Sequence, residues 1–518
     1  MSLNLAVLLT ASARKYPTKT ALIFDNFKLN YAQLDGVSNQ FANGLSRLGV
    51  KRGDKVGIML PNIPQFVIAY YAIVKMGAVV VPMNVLLKAD EIEYYLKDSD
   101  AVAIVAWEGF LGEAVKGFER LSNCRNLIVV QTPGSQNPLP QAEGVMRFEE
   151  VHQNASPKFD VAATSTEDTA VIIYTSGTTG RPKGAELTHF NMMYTAQVGE
   201  KLLPPSPDDV GLAVLPLFHI FGQSSVMNAM VGRSGTLTMV ARFEPAKVLE
   251  VMERDRVTIF AGVPTMFFAL LNYPERKKYD TSSLKYAISG GAAIPVEVLR
   301  AFEQEFNVPI LEGYGLSETC ANATFNDLEN PRKPGSIGRP IWGIDLKLVD
   351  SNDEEVPQGE RGEIVLRGHC VMKGYYQRPE ATEEAMRNEW FHTGDVGYMD
   401  EEGYIFIVDR IKDMIIRGGY NVYPREIEEV LYQHPAVLEA AVIGVPDPKM
   451  GEDVKAFVSL KAGASATPEE LIEFTKAKVA AYKYPREVEI LPELPKNATG
   501  KILKRELRNQ TQATENKV

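Results

Sequence analysis

Helix-like and strand-like apolar patterns alternate along this chain up to about residue 400, and that alternation limits the fold more than any other feature. Leu34, Val37, Phe41, Leu45 and Leu48 recur at spacings of three and four, which makes one helix face apolar, and Gly49 ends that helix. Lys55–Leu60 reads as a buried strand, residues 63–76 as a helix closed by Gly77, and Ala78–Pro82 as the next strand. Ala170–Tyr174, Val257–Phe260 and Tyr286–Ser289 continue the series. Beyond Pro340 the pattern changes to short strands with turn signals between them, at Asp345–Val349 and Gly362–Arg367. A boundary is expected near Asp409–Asp413, followed by helices at Pro424–Tyr432 and Pro468–Ala480 and strands at Ala440–Gly444 and Lys455–Leu460. The expected fold is α/β: a large layered N-terminal domain (1–408), a hinge (409–412) and a small mobile α+β domain (413–518). At 518 residues one hydrophobic core would be too large.

Several function classes are disfavoured by composition. The formal net charge is −11 and no basic run is present, so no nucleic-acid partner is expected. Cys124, Cys320 and Cys370 are far apart and fit neither a disulfide framework nor a metal-ligand spacing, which suits a reducing, cytoplasmic setting. The N-terminal apolar run lacks the basic flank of a signal peptide and reads as an amphipathic helix. The apolar stretch Phe66–Val81 is interrupted by Lys75 and Gly77, too short for a membrane span. The polar tail after Leu507 is expected to fray.

Chemistry enters at Tyr174-Thr-Ser-Gly-Thr-Thr-Gly-Arg-Pro-Lys-Gly184, which follows directly on an apolar strand. Gly177 and Gly180 let backbone N–H groups approach an anion. Thr175, Ser176, Thr178 and Thr179 offer hydroxyl donors, and Lys183 adds a point charge. Pro182 before Lys183 and Gly184 after it exclude a Walker A loop, and the spacing of a dinucleotide fingerprint is missing.

This segment resembles the signature loop of the adenylate-forming superfamily, which contains acyl- and aryl-CoA synthetases, amino-acid adenylation domains and beetle luciferases. Further family motifs occur in the expected order over nearly the whole chain. The resemblance implies roles for them. In Leu311-Glu-Gly-Tyr-Gly-Leu-Ser-Glu-Thr319, with Gly313 and Gly315 beside the nucleotide, Tyr314 would stack on adenine, Glu318 would ligate Mg²⁺, and Thr319 would bond the α-phosphate. Ser289–Pro295, with Gly291 and Ala292, reads either as a wall of the adenine and acyl pockets or as an ordinary strand-to-helix turn. Asp395 matches the residue that accepts from the ribose diol, and Arg410 a second ribose or phosphate contact. His219, in Pro216–Gly222, borders the carboxylate. Lys501, in Leu494-Pro-Lys-Asn-Ala-Thr-Gly-Lys-Ile502, bridges carboxylate and phosphate during adenylation. Lys412 matches the hinge about which the small domain rotates, withdrawing Lys501 and bringing Gly418 and Gly419 up to line a pantetheine channel.

An acyl-CoA ligase is therefore expected, using ATP, Mg²⁺ and coenzyme A on a medium- or long-chain fatty acid, with a 4-coumarate-like aryl acid as the alternative. The small residues Gly291, Ala292 and Gly315 are expected to leave room behind the carboxylate, and Gly291→Leu to shorten the preferred acid. An amino-acid adenylation domain is disfavoured because Phe218–Phe221 contains no aspartate. A luciferase-like oxygenase is disfavoured by Ile416, where such members carry lysine. A non-catalytic nucleotide-binding regulator is disfavoured by the joint presence of Glu318, Asp395, Arg410 and Lys501. Oligomers are compatible with all of this.

Overall fold

The computed structural model describes residues 3–175, 181–206, 208–497 and 500–515, the last four as backbone only. Within these residues four sheets form. The nine-stranded sheet has a parallel centre in the spatial order Thr20–Phe24, Thr236–Met239, Val210–Ala213, Ile259–Gly262, Tyr286–Ser289 and Ile310–Tyr314. The eight-stranded sheet is built round Lys55–Met59 and Val79–Pro82, and carries the antiparallel pair Thr169–Thr175 and Lys183–Thr188. Val79–Pro82 is buried along its whole length, as expected for a parallel strand covered on both faces.

The helices form where the spacing predicts them. Tyr31–Arg47 opens with a capping box: Asn30 Oδ1 accepts from Gln33 N at 2.8 Å, and Gln33 Oε1 accepts from Asn30 N at 2.9 Å. Its apolar face puts Leu34, Phe41 and Leu45 in the core. Pro64–Lys75 begins with proline, which has no N–H to leave unsatisfied, and is buried all round. Its terminal Lys75 is buried as well, so the ammonium needs partners; it finds Asp35 Oδ1 and Asn39 Oδ1, each at 2.7 Å. No helix among the described residues is long and apolar enough to cross a membrane.

The third sheet holds Ile344–Val349, Gly362–Gly368, Trp390–Met399 and Ile405–Arg410. The fourth is built from Val437–Asp447 and Gly451–Leu460, with Ile415–Arg417, Tyr420–Val422 and Glu487–Ile490. Helices Pro424–Tyr432 and Pro468–Lys476 cover a separate small core of Ile427, Leu431, Val442, Val458 and Leu471. Residues 411–414 join the third sheet to the fourth.

Two expectations fail near the C-terminus. The second of these helices stops at Lys476, four residues early. The tail does not fray at Leu507: a helix runs Lys504–Glu515. Tertiary contacts hold it, since Leu507 is fully buried, Lys504 Nζ lies 2.8 Å from Glu428 Oε1 and Arg508 pairs with Asp413 at 2.8 Å.

Candidate active site

The C-terminal ends of the parallel strands, the third sheet and the small C-terminal unit enclose a cavity of about 1100 Å³. Thr175 and Lys183 are register partners at the ends of their antiparallel strands, and both line the cavity. Ser176, Gly177, Thr178, Thr179 and Gly180 lie outside the described residues. Lys183 Nζ stands over the ring of Tyr375 at 5.2 Å, and the Tyr375 hydroxyl donates to Glu318 Oε1 at 3.0 Å. A cation, a phenol and a carboxylate thus line up along one wall. Burial, and then the charge of Glu318, raise the pKa of Tyr375, which keeps it a hydrogen-bond donor.

Opposite them, Asp395 and Arg410 are register partners in adjacent antiparallel strands. Arg410 Nε lies 3.1 Å from Asp395 Oδ1, and the Tyr314 hydroxyl donates to Asp395 Oδ2 at 2.6 Å. Tyr314 and Asp395 are both buried, so this carboxylate is held in one orientation by two donors.

Lys501 reaches the same cavity from the small C-terminal unit. Its loop is tied by Asn497, whose Oδ1 accepts from Lys501 N and whose backbone C=O accepts from Gly500 N, each at 2.9 Å. Thr265 Oγ1 donates to Gly500 O at 3.5 Å and links the loop to the nine-stranded-sheet side. Lys501 keeps contact with water in the cavity, yet the surrounding walls desolvate it. That desolvation first, and then the charge of Arg410, lower its pKa to about 8. His219 is more enclosed: burial, followed by the charge of Lys501, depresses it to about 4, so it is neutral at physiological pH. Phe221 N donates to His219 Nδ1 at 3.3 Å, which leaves Nε2 to carry the proton.

Part of the cavity lining is largely apolar, with Arg233 also present, and forms a slot. One wall is helix His189–Leu202, through Thr195, Gly199 and Leu202; the second is the π-helical segment Gly222–Asn228 and its flanks, through Phe221, Ser225 and Ala229; strands contribute Ile259 and Ile288. Most of these walls are apolar. Gly199 lines the cavity, and a Cβ added there would meet no atom within 4 Å.

Glu318, Tyr314, Gly313, Gly315, Gly291, Ala292, His219, Asp395, Arg410, Lys412 and Lys501 all line this one cavity with Thr175 and Lys183. Two expectations need correction, those for Thr319 and for the Gly291→Leu variant. Thr319 is fully buried; its hydroxyl accepts from Leu316 N at 2.8 Å and fixes the turn that presents Glu318, in place of facing a phosphate. Gly315 does line the cavity, and a Cβ there would lie 2.2 Å from the backbone carbon of Ala321, so the position requires glycine. Gly291 has φ +78°, so leucine would strain the backbone, and Gly199 is the position where a side chain would fill the slot. Gly418 and Gly419 lie outside the cavity, in the turn between Ile415–Arg417 and Tyr420–Val422, where Gly418 N donates to Met450 O at 2.7 Å. Sequence reasoning missed Tyr375, Thr265 and Gly199.

Comparison with known proteins agrees with this geometry. Residues 9–376 match the AMP-binding enzyme family, and residues 426–501 match the AMP-binding enzyme C-terminal domain. A long-chain-fatty-acid–CoA ligase of Bacillus subtilis (strain 168) is 39% identical, covering 97% of this chain and 94% of its own. A feruloyl-CoA synthase of an Amycolatopsis species is 36% identical, covering 96% and 97%. The crystal structure of the anthranilate CoA ligase AuaEII with anthranoyl-AMP superposes with a TM-score of 0.93 at 32% identity, over 99% of this chain and 98% of that one.

Proposed function

This chain belongs to the AMP-binding enzyme family, and from that premise we propose that it is an ATP-dependent acyl-CoA ligase acting on medium- to long-chain fatty acids. The observation that carries the substrate class is the largely apolar slot that Gly199 lines. An alkyl tail gains there about 0.8 kcal/mol for each CH₂ it buries.

The first step brings together two anions, the carboxylate and the ATP α-phosphate. A carboxylate oxygen attacks the α-phosphorus, the bond to pyrophosphate breaks, and acyl-adenylate forms. Lys501 suits the bridging position, because it lines the same cavity as Asp395, Arg410 and His219. Asp395 is oriented to accept from a ribose diol. The neutral His219 offers Nε2–H to the carboxylate without adding charge. Lys183 would face the phosphates.

Glu318 fits Mg²⁺ delivered with the nucleotide. Among the described residues no group of three or more His, Cys, Asp or Glu could hold a metal unaided. Mg²⁺ is commonly held by one or two carboxylates plus substrate phosphates, the donor set that Glu318 and ATP would supply. When bound there the ion would offset phosphate charge.

In the second step the CoA sulfur attacks the acyl carbonyl, the C–O bond to AMP breaks, and AMP leaves with the thioester formed. Lys501 occupies the cavity in this arrangement while Gly418 and Gly419 lie outside it. The thiol step therefore calls for the C-terminal unit to turn about residues 409–412, with Lys412 as the pivot.

The test is a panel of acids assayed for CoA-dependent AMP release. kcat/KM is expected to climb by up to about fourfold per CH₂ across the alkanoates and then level off. Gly199→Leu should move that plateau to shorter acids with the KM for ATP unchanged. Cinnamate-type acids outrunning every alkanoate would overturn the fatty-acyl assignment and favour an aryl substrate.

A further inference from the structure

Asp395, read above as the acceptor of the ribose diol, sits on an irregularity of its strand. Strand Gly362–Gly368 runs antiparallel to Trp390–Met399, with Glu363 opposite Val396 and Val365 opposite His392. Between these two pairs Ile364 alone stands opposite three residues, Thr393, Gly394 and Asp395, so the longer strand bulges there. A bulge bends its strand and re-aims the side chain it carries. Here that side chain is Asp395, which lines the cavity. Gly394 has φ +71°, a left-handed backbone that suits glycine.

A bulge interrupts the ladder, so its backbone groups need other partners. Two side chains supply them. Thr393 Oγ1 accepts from Asp395 N at 3.0 Å and donates to Ile364 O at 2.7 Å. Glu363 Oε1 accepts from Gly394 N at 2.9 Å, and Glu363 Oε2 lies 2.9 Å from His392 Nδ1. The two carboxylate oxygens thus hold the residue before the bulge and the glycine in its middle. The Glu363 side chain is 13% exposed, lines the cavity, and has Arg387 Nη2 3.6 Å away to offset its charge. A Cβ at Gly394 would meet nothing within 4 Å, so hydrogen bonds hold this turn where packing does not. On its other side the bulge is fixed by the pairing of Asp395 with Arg410.

We propose that Glu363 is a positioning residue for adenylation: by accepting the Gly394 N–H it holds the bulge in the shape that turns Asp395 toward the nucleotide ribose. This rests on the reading of Asp395 as the ribose acceptor. Glu363 acts through Asp395, so its removal costs no more ATP affinity than removal of Asp395 itself.

The test compares ATP with 2′,3′-dideoxy-ATP, which lacks the ribose diol, in acid-dependent release of pyrophosphate. Wild type should prefer ATP in kcat/KM by about ten- to a hundredfold, as expected for a charge-assisted hydrogen bond. Glu363→Ala should cut that preference by about tenfold, through a higher KM for ATP, and leave kcat/KM for dideoxy-ATP within about twofold. Glu363→Asp keeps the charge beside His392 and Arg387 but draws it back from Gly394 N–H by one CH₂; it should lose the preference in the same way, and it carries the test if the alanine variant does not fold. Glu363→Gln keeps an oxygen for Gly394 N–H and should restore most of the preference. In an Asp395→Ala background, Glu363→Ala should raise the KM for ATP no further, because the two residues act as one unit. If either folded variant, alanine or aspartate, keeps the preference or weakens both nucleotides alike, Glu363 does not position Asp395, and the reading of Asp395 stands without it. If wild type does not tell ATP from dideoxy-ATP, that reading and this inference fall together.

Discussion

Lys501→Ala is expected to lower acid-dependent ATP–pyrophosphate exchange by about a hundredfold or more, the loss typical of removing one group that stabilises developing transition-state charge. The same variant should convert presynthesised acyl-adenylate and CoA to thioester at close to the normal rate, because Lys501 is proposed to leave the site before the thiol arrives. The pH profile gives the same prediction a second form. Desolvation and Arg410 set Lys501 near a pKa of about 8. The ammonium is present below that value and lost above it, so kcat/KM for adenylation should fall as pH rises through about 8, with the thioester half-reaction free of this limb. Lys501→Arg should move the limb to higher pH, because guanidinium stays charged. Equal loss in both half-reactions, or an alkaline limb unchanged in the arginine variant, would contradict the assignment.

Asp395→Ala should raise the KM for ATP by about ten- to a hundredfold, the equivalent of losing a charge-assisted hydrogen bond worth roughly 1.5–3 kcal/mol. The carboxylate is buried and held by Tyr314 at 2.6 Å and Arg410 at 3.1 Å. Removing it also strands those two donors, so a melting curve is needed to separate binding from stability. Asp395→Asn preserves the shape and one acceptor, and should fall between wild type and alanine in ATP affinity. An unchanged KM for ATP in a folded alanine variant would remove Asp395 from the nucleotide site.

Much of this site was legible in the sequence because its chemistry is carried by short contiguous motifs. The turn residues around Lys501 fix a loop by local bonds to Asn497, whereas Asp395 meets Arg410 through a strand pairing that the structure, not the sequence, shows. Other features depend on distant partners. The buried hydroxyl of Thr319 is committed to Leu316, and the backbone of Ala321 presses on Gly315; neither contact leaves a mark in composition. The helix Lys504–Glu515 looks like a polar tail until Glu428 and Asp413 are placed beside it. The acyl slot was least legible of all. Thr195, Gly199 and Leu202 lie on a helix outside every recognised motif, and what matters about Gly199 is the empty space in front of it.

The central claim is that a carboxylate oxygen of the acid bonds to the α-phosphorus of ATP. Its most direct test uses acid labelled with heavy oxygen in the carboxylate, ATP and CoA, followed by mass analysis of the nucleotide and phosphate products. The account predicts one labelled oxygen in AMP, unlabelled pyrophosphate and no ADP. Label in inorganic phosphate together with formation of ADP would show attack at the γ-phosphorus and would contradict the acyl-adenylate mechanism.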